Sequence, residues 1–464
     1  MNKYKSLFSD TLVFGLGNFT TKLIYFFLMP IYTLSLTTEE FGLADLLNNS
    51  LQLVMPVLTL SITDAVFRFV LDKDSNHRSL FCNGLQILGY SYIMVIFITT
   101  VVCFFYPDSY WWFFTVLYVS ESLKTLFAQF ARGLGKVKEF AFNGILGAIF
   151  LLGSTFLFLR IFRLGVNGYL LAFIVANVVS VMYLYYKVNI KSYIEFSQCN
   201  KFLLRNMIIY SLPLIPNMLS WWVTNISSRY IIAGYCGLGI AGLFAGASKI
   251  PALINVVSSV FQQAWQFASV KEYQESTKSE FYSRVFHYYS FFVTMSSAVI
   301  LAILPYVSRF ILKGEFYEAW IYTPLLLFSA TLGCYSIFFG TFYTVVKDNK
   351  KAMYTTMLGA TVNILLCFLL IPQIGITGAL IANVASYAVI VGMRIRDSKR
   401  YVSLTIDRVV AIDIVLIFCQ SIVLSVPFNG HLFIAATIPF LLGLIHWNDF
   451  KGTLSFLRRL MSRR

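Results

Sequence analysis

The sequence has few charged residues for its length. Only 12% of the 464 residues are charged, against about 25% in soluble globular domains. Hydrophobic residues make up 58% of the chain, and the mean hydropathy is +0.73. This composition excludes an ordinary soluble protein and indicates a membrane protein.

The sequence also lacks the alternating segments of about ten residues that form membrane β-barrel strands. Apolar runs of about 20 residues, the length of a membrane-spanning helix, recur instead. The sequence therefore predicts an all-α polytopic membrane protein with about fourteen spans. Their centres are expected near residues 22, 55, 92, 121, 150, 176, 220, 254, 294, 333, 362, 385, 419 and 439.

Nothing in the sequence indicates a metal site or a disulfide framework. The four histidines, His77, His287, His431 and His446, stand far apart, whereas a zinc site needs clustered ligands. The seven cysteines are odd in number and include no Cys-x-x-Cys pair, so we expect free, mostly buried thiols. We therefore expect no metal and no cofactor.

Basic residues concentrate in alternate loops. Cytoplasmic loops carry the excess of lysine and arginine, which predicts that both termini are cytoplasmic. The N-terminus shows no cleavage pattern, so we expect the first span to be retained. The opposite loops hold only Arg160, Arg163, Arg309 and Lys313. The net charge of +15 thus reflects topology, and we expect the basic tail to bind anionic lipid rather than nucleic acid.

An internal repeat divides the chain. EEFGLADLL at 39–47 resembles GIAGLFAGA at 239–247, and LGVNGYLLA at 164–172 resembles IGITGALIA at 374–382. An even number of spans separates the copies, so both have one orientation, as in two-lobed transporters with about six helices per lobe. The predicted domains are an N-lobe, a cytoplasmic linker, a C-lobe, and a C-terminal helix pair with a basic tail, at 1–186, 187–205, 206–396 and 397–464.

Polar side chains follow spans one, two, seven and eight. In span two, four of them share one helical face at spacing i, i+3, i+4, i+7: Asp45, Asn48, Asn49 and Gln52. The other spans carry Asn18, Asn217, Thr224, Asn255, Gln262 and Gln266. Since these spans are repeat equivalents, we expect one polar cavity between the lobes. Most aromatics in such chains face lipid; sugar stacking in the cavity is the alternative for Trp221 and Trp265.

Three cations lie in the same spans: Lys22, Arg229 and Lys249. A charge at the bilayer centre costs roughly 2.5–3.5 kcal/mol on insertion scales, so it normally faces water, a partner or a ligand. Lys22 and Lys249 have no acidic residue one turn away on their own helix. This favours anion binding, with pairing across helices, for instance to Asp45, as the alternative. Arg229 lies near the outer end of its span, where snorkelling is the alternative.

Two further charge pairs have two interpretations each. Asp64 and Arg68 are spaced for an i,i+4 structural pair. Glu121 and Lys124 are spaced for an internal ion pair. For Asp64, Glu121 and Lys124 the alternative is coupling of transport to H⁺ or Na⁺.

Three kinds of segment carry a family resemblance. They are FLMPIYTLSLTTEEFGLADLL at 27–47, LSITDAVFRFV at 60–70, and the twin segments at 164–172 and 374–382. Together they resemble bacterial polysaccharide-export flippases, the oligosaccharide-lipid branch of the multidrug/oligosaccharidyl-lipid/polysaccharide exporter superfamily. O-antigen repeat-unit translocases are the nearest type. The resemblance covers residues 1 to about 396 and leaves the last helix pair outside it.

The resemblance implies movement of an undecaprenyl-diphosphate-linked oligosaccharide from the cytoplasmic to the periplasmic leaflet of the bacterial inner membrane, by alternating access. It also implies a cationic cavity, which suits Lys22, Lys249 and Arg229 because lysine and arginine bind diphosphate well. The partners it suggests are the lipid-linked oligosaccharide, the bilayer, and the polysaccharide polymerase with its chain-length machinery. Whether the last helix pair grips lipid, as in relatives that move peptidoglycan precursor, stays open.

Two other function classes compete with a flippase. A membrane polymerase or ligase needs a positioned acid, base or nucleophile, but the predicted outer loops are short and none gathers histidine with a carboxylate. A drug or cation antiporter of the same superfamily would favour acidic cavity charge, whereas Lys22, Lys249 and Arg229 outnumber Asp45. The sequence thus favours a non-enzymatic flippase and leaves the identity of the glycan undefined.

Overall fold

The computed structural model describes residues 20–72, 75–108, 110–273, 278–346, 348–405, 407–426 and 430–447. Within these ranges the chain consists of helices and short connections, with no β-strand. Helices suit a bilayer because they satisfy every backbone N–H and C=O internally. The predicted all-α polytopic fold class is confirmed.

The helices of the N-terminal half follow predicted spans one to seven. They are α1 (20–35), α2 (Thr38–Leu58), α3 (Ile62–Val70), α4 (His77–Phe105), α5 (Tyr110–Gly133), α6 (Val137–Thr155), α7 (Gly165–Val188), α8 (Lys201–Ser211) and α9 (Leu214–Cys236). A π-helical turn, Phe156–Ile161, extends α6, and the 3₁₀ helices Ile190–Tyr193 and Phe196–Gln198 separate α7 from α8.

The helices of the C-terminal half follow predicted spans eight to fourteen. They are α10 (Leu238–Ala247), α11 (Ala252–Glu272), α12 (Lys278–Ile311), α13 (Thr323–Val345), α14 (Asn349–Ile374), α15 (Ile376–Tyr401), α16 (Arg408–Ser425) and α17 (His431–Ile445). A 3₁₀ helix, Gly314–Tyr322, joins α12 to α13.

The helix lengths agree with a multi-pass membrane protein. Among the described residues, 10 helices are long and apolar enough to cross a membrane, and the α2–α3 pair, bent by 64°, raises this to 11. The apolar segment Leu432–Ile445 is shorter. Every predicted span centre falls inside one of the helices, so the set is compatible with the expected number of about fourteen spans.

Local sequence signals explain where several helices begin. At the start of α2, Thr37 forms a capping box: its Oγ1 accepts from the Glu40 N–H at 3.1 Å, and the Glu40 carboxylate accepts from the Thr37 N–H at 2.9 Å. Asn76 caps α4, and Asn200 caps α8, each with its side-chain oxygen. Side chains of the chain itself thus satisfy the first N–H groups of these helices.

The break between α2 and α3 depends on unusual backbone geometry. Leu60 and Ser61 have φ angles of 52° and 48°, a region that costs a non-glycine residue roughly 1–2 kcal/mol. Pro56, one turn earlier, lies inside α2, where it removes a helical hydrogen bond. Ser211 compensates, because its hydroxyl donates to the Leu60 carbonyl at 2.7 Å. The turn between the two helices is therefore held by α8.

The chain divides into two compact units, 1–222 and 223–464, here called unit 1 and unit 2. The boundary falls inside α9, so unit 1 includes the 187–205 segment that the sequence analysis treated as a linker. The core of unit 1 packs α3, α4 and α5 around fully buried residues such as Ile62, Phe81 and Phe130. The centre of unit 2 is α13. In the segment Gly314–Val345, which contains α13, 83% of the most apolar stretch is buried.

The prediction that all cysteines are free is wrong for two of them. Cys82 in α4 and Cys199 before α8 form a disulfide, with Cα atoms 5.5 Å apart. Cys103, Cys236 and Cys419 are free and at least partly exposed, and the free Cys334 and Cys367 are buried. The sequence analysis missed the pair because 117 residues separate its members, and spacing alone reveals only local pairs.

Two further contacts attach the same segment to the start of α4. The Arg78 guanidinium lies 3.0 Å from the Glu195 carboxylate. The Asn83 amide donates to the Asn200 carbonyl at 3.0 Å and accepts from the Asn200 N–H at 3.2 Å. The segment before α8 is therefore bonded to α4 at three residues, Glu195, Cys199 and Asn200.

We predict that the disulfide stabilises unit 1 measurably. The closed loop is long, so removing the bridge is expected to cost about 2–4 kcal/mol of unfolding free energy. A thermal melt of the purified protein should therefore show a lower Tm after reduction with dithiothreitol. The double variant Cys82→Ser/Cys199→Ser should start at the lower Tm and not respond to the reductant.

Cys103→Ser is the matched control, because Cys103 is free; it should keep the response to dithiothreitol. Counting reactive thiols with a maleimide before and after reduction checks the pairing itself. An unchanged thiol count in the wild-type chain would show that the two cysteines do not pair.

Candidate functional site

The first cation of the proposed site, Lys22, is half-buried in α1. Next to it on α1, Thr21 approaches α6, where a Cβ added at Gly144 would lie 3.4 Å from the Thr21 hydroxyl. Tyr25, one turn after Lys22, is 46% exposed. Asn18, which the sequence analysis placed on the same stripe, lies outside the described residues. Lys22 therefore combines packing within unit 1 with partial access.

The polar stripe of α2 is a hydrogen-bonded column that runs from a buried to an exposed end. Asp45 and Asn49 are 1% and 6% exposed, and the Asn49 amide donates to the Asp45 carboxylate at 2.8 Å. The Gln52 amide donates to the Asn49 side-chain oxygen at 3.4 Å. Asn48 is half-buried and Gln52 is exposed, so only this end of the stripe is open to a ligand.

The unit 1 part of α9 adds polar and aromatic side chains. Trp222 donates its indole N–H to the Asn49 carbonyl at 3.0 Å, which fixes α9 against the stripe of α2. Asn217 and Trp221 are half-buried, so both keep some accessible surface. In unit 2, Thr224 is fully buried and contributes to packing.

A polar cluster in unit 1 contains the expected ion pair of α5. The Lys124 ammonium lies 2.7 Å from the Glu121 carboxylate and donates to the Asn177 amide oxygen of α7 at 3.0 Å. The Asn177 amide in turn donates to the Ser120 hydroxyl at 3.3 Å. Because the two charged side chains are only 25% and 26% exposed, the pair is poorly screened by water.

The predicted pair of Asp64 with Arg68 is wrong. Arg68 pairs with Asp72, at 2.7 Å, and these side chains are 50% and 56% exposed. Arg68 in the last turn of α3 and Asp72 just beyond it both keep their hydration, whereas Asp64 is half-buried, where an ion pair would pay a larger desolvation cost. Asp64 remains a half-buried carboxyl group on α3.

Two cations of unit 2 converge on the break between α10 and α11. Lys249 lies in this break, which covers residues 248–251, and Pro251 is the N-cap of α11. Arg229 of α9 reaches the same turn, since its guanidinium donates to the Ser248 hydroxyl at 2.7 Å. Both cations are half-buried. The partial positive charge at the N-terminus of α11 is offset by the partial negative charge at the C-terminus of α10, so the positive potential of the break comes from the two cations.

The other polar residues of α11 differ in access. Asn255 and Gln266 are exposed, whereas Ile254, Ser258 and Trp265 of the same helix are buried. The Gln262 amide donates to the Thr341 hydroxyl of α13 at 2.7 Å, which anchors α11 to α13. Asn255 and Gln266 are therefore the members of this set that can contact a polar ligand directly.

Trp265 lies in the core and not on a sugar-accessible face, which corrects its assignment as a stacking residue. It is 2% exposed. Its ring stacks on Phe338 with centroids 4.7 Å apart and an interplanar angle of 9°, and meets Phe281 and Tyr282 as well. Helical periodicity placed Trp265 on the correct helix but gave no information on what packs against that face.

Unit 2 contains a buried arginine that hydropathy and periodicity did not single out. Arg394 is 4% exposed and lies in α15. Its guanidinium donates to the Ser336 carbonyl at 2.7 Å, to the Thr356 hydroxyl at 3.0 Å and to the Thr355 hydroxyl at 3.2 Å. These bonds tie α13, α14 and α15 together, so Arg394 is a structural cation.

An apolar cavity of about 350 Å³ lies in unit 1 between α2, α4 and α5. Its walls include Val54, Val95, Ile98, Val102 and Trp111. On α2 the cavity is lined by Leu53, Val54, Val57 and Leu58, which lie on a different helical face from the polar stripe. Hydropathy could not reveal it, because lipid-facing and cavity-lining residues have the same composition.

The described residues contain no group of three or more histidine, cysteine or carboxylate side chains that could hold a metal ion. The accessible polar groups are instead the half-buried cations and the amides of α2 and α11. Such a set can bind an anion and hydroxyl-rich ligands.

Comparison with protein families identifies the family of this chain. A family model described as "Polysaccharide biosynthesis protein" matches residues 7–267, which is more than half of the chain. This segment includes Lys22, Arg229 and Lys249. Among curated proteins no match is found.

Several solved structures share the fold. The structure titled "Lipid II flippase MurJ, inward closed conformation" has a TM-score of 0.70 at 13% identity and covers 96% of this chain and 99% of that one. The inward-facing conformation of a multidrug resistance MATE family transporter of the MOP superfamily has a TM-score of 0.67 at 13% identity and covers 82% and 95%.

A third related structure is a MOP superfamily transporter from Pyrococcus furiosus. It has a TM-score of 0.59 at 14% identity and covers 84% of this chain and 96% of that one. At such identities the likeness establishes the fold, which is that of the MOP superfamily transporters.

We predict that the Lys124 contacts stabilise unit 1. Lys124→Met leaves the Glu121 carboxylate without its cation and the Asn177 oxygen without its donor. An unsatisfied buried group costs about 1–3 kcal/mol, so the Tm of the purified protein in nanodiscs should fall. Lys138→Met is the control, because Lys138 is exposed, and it should leave the Tm unchanged.

The double variant Glu121→Gln/Lys124→Met tests whether the two residues act as a pair. Coupled residues lose less stability together than the sum of the two single losses. Strictly additive losses would mean that the ion pair contributes nothing.

Proposed function

Since this chain belongs to the polysaccharide biosynthesis protein family, we propose that it is a flippase for lipid-linked oligosaccharide. The cargo is an undecaprenyl-diphosphate-linked repeat unit of O-antigen or a related surface polysaccharide. It moves from the cytoplasmic to the periplasmic leaflet of a bacterial inner membrane by alternating access. The family match, and a fold shared with a structure whose title names a lipid II flippase, support this proposal.

The observation that carries the proposal is the cationic break of unit 2. Arg229 reaches the turn that holds Lys249, directly before the N-terminus of α11. Helix N-termini and basic side chains are the common ligands of phosphate groups. Within hydrocarbon depth such a cluster is costly unless it meets an anion or water. A diphosphate head group supplies that anion.

Unit 1 offers a second cationic position and a polar surface. Lys22 is half-buried, and the α2 stripe opens at Gln52. We assign Lys22 to the diphosphate and the accessible amides to the glycan, since amides bind hydroxyl groups as both donor and acceptor. In unit 2, Asn255 and Gln266 have the same role. The apolar cavity between α2, α4 and α5 suits a section of prenyl chain.

The basic loops support the proposed direction of transport, because the excess of lysine and arginine in alternate loops favours cytoplasmic termini. A negative interior favours outward movement of an anionic head group by about 2.3 kcal/mol per charge and 100 mV. Coupling to H⁺ or Na⁺ at Glu121, Lys124 or Asp64 is the additional source. A polysaccharide polymerase and chain-length machinery would take over the product.

We predict that loss of the intramembrane cations abolishes transport. Lys22→Ala and Lys249→Ala remove the charges that hold the diphosphate, and Arg229→Ala should weaken binding in the same way. Each variant is introduced into a strain that lacks the gene, and surface glycan is measured by immunoblot with membrane levels of the protein matched. We expect surface glycan to fall by roughly tenfold or more, because each variant loses a charge-assisted contact to the diphosphate.

Lys187→Ala is the control, because Lys187 is exposed at the end of α7, and it should support normal glycan levels. Normal glycan in both Lys22→Ala and Lys249→Ala would remove these residues from the mechanism. A deletion strain with unchanged glycan but raised sensitivity to cationic dyes would instead identify a drug antiporter.

A further inference from the structure

A buried histidine and aspartate link the two C-terminal helices. The Nε2 atom of His446, at the end of α17, lies 2.9 Å from the Oδ2 atom of Asp413 in α16, and the side chains are 1% and 0% exposed. The His446 ring also packs on Phe291 of α12, with centroids 4.6 Å apart. The proposed transport mechanism uses neither residue.

A second pair connects this site to the surface. The Nδ1 atom of His287 in α12 lies 3.2 Å from the Oδ2 atom of Asp407, at side-chain exposures of 21% and 57%. The rings of His287 and His446 have centroids 5.6 Å apart. Exposure therefore falls stepwise from Asp407 through His287 to His446 and Asp413, with an ionisable group at every step.

The buried carboxylate is incompletely satisfied. In the part of the chain that the structure describes, the Oδ1 atom of Asp413 is buried and has no hydrogen-bond partner. The other ionisable groups described near the site are His287 from α12, Tyr335 from α13, which faces Asp413, and Asp407 at the start of α16. Tyr335 is bonded to Ser290 at 2.7 Å. None of these neighbours is a lysine or arginine that would permanently neutralise Asp413.

We propose that Asp413 and His446 form a proton-binding site that is loaded from water through Asp407 and His287. Without the proton, a neutral imidazole donates to the carboxylate and the buried site carries one negative charge. With the proton, an imidazolium faces the carboxylate and the site is neutral overall. A single proton moves, and no bond other than N–H or O–H forms or breaks.

The two protonation states favour different packing of the surrounding helices. An unneutralised carboxylate in a dry interior is strongly disfavoured, so loss of the proton favours entry of water between α16 and α12. The loaded, neutral pair favours the closed packing seen here. This gives the last two helices a role that the proposed transport mechanism did not assign, and it identifies H⁺ as their ligand.

The chain has only four histidines, so nuclear magnetic resonance of histidine-labelled protein in nanodiscs can follow each ring. His446→Gln assigns the His446 signal. We expect this ring to titrate between pH 5 and 9. In Asp413→Asn its midpoint should fall by about one pH unit or more, because the carboxylate that stabilises the imidazolium is gone. A His446 signal that stays constant over this range would overturn the proposal.

His287→Gln tests the proton access route, and it keeps the proposal testable if Asp413→Asn does not fold. This substitution leaves the buried pair intact, so the midpoint for His446 should hold while its proton exchange slows severalfold. Unchanged exchange would remove His287 from the route. His77→Gln, in α4 of unit 1, is the control and should change neither property.

The outcome is independent of the cargo. A titrating His446 in a protein that moves no lipid-linked sugar would refute the proposed function and keep the proton site. Transport of lipid-linked sugar by a protein whose His446 does not titrate would support the proposed function and refute the proton site.

Discussion

The hydrocarbon core of the bilayer supplies neither hydrogen-bond donors nor acceptors, and every polar group of this chain must be satisfied by the chain itself, by water or by a ligand. The helical fold follows from this constraint. So do its exceptions: in the turn after α2, the Leu60 carbonyl accepts a hydrogen bond from the Ser211 hydroxyl. Arg394, buried among α13, α14 and α15, is surrounded by hydroxyl and carbonyl oxygens. Polar groups without such local compensation are where function is most reasonably sought.

The helix breaks meet the same constraint in two different ways. In span two the turn at Thr59–Ser61 is enclosed within unit 1 and carries no charge of its own. In its repeat equivalent, span eight, the turn at 248–251 carries Lys249 and receives Arg229. Irregular backbone at membrane depth is tolerated where it is buried in protein or lines a polar cavity. Both copies of the predicted repeat therefore contain a helix break, and of these two breaks the one in span eight carries the positive charge.

Hydropathy and charge distribution predicted the position of every described span, because both follow from the cost of moving side chains out of water. Periodicity predicted which residues share a face, as with Asp45 and Asn49. It could not predict what packs against that face. Trp265 is stacked inside an aromatic core, Arg394 is buried among hydroxyl and carbonyl oxygens, and Cys82 meets Cys199 across 117 residues. All three depend on tertiary contacts between helices distant in sequence, which a single sequence does not specify.

Charge balance connects the cationic break with the C-terminal pair. Under the proposed function, the loaded carrier is close to neutral, because a diphosphate offsets Lys249, Arg229 and Lys22, whereas the empty carrier keeps their positive charge. An interior-negative potential then has little effect on the nearly neutral loaded step and favours the inward return of the empty cationic site. The potential alone can therefore turn the cycle. A proton at Asp413 and His446 would have a different role. Its binding and release would control when α16 and α17 separate from α12, and so the rate of that step rather than the overall driving force of transport.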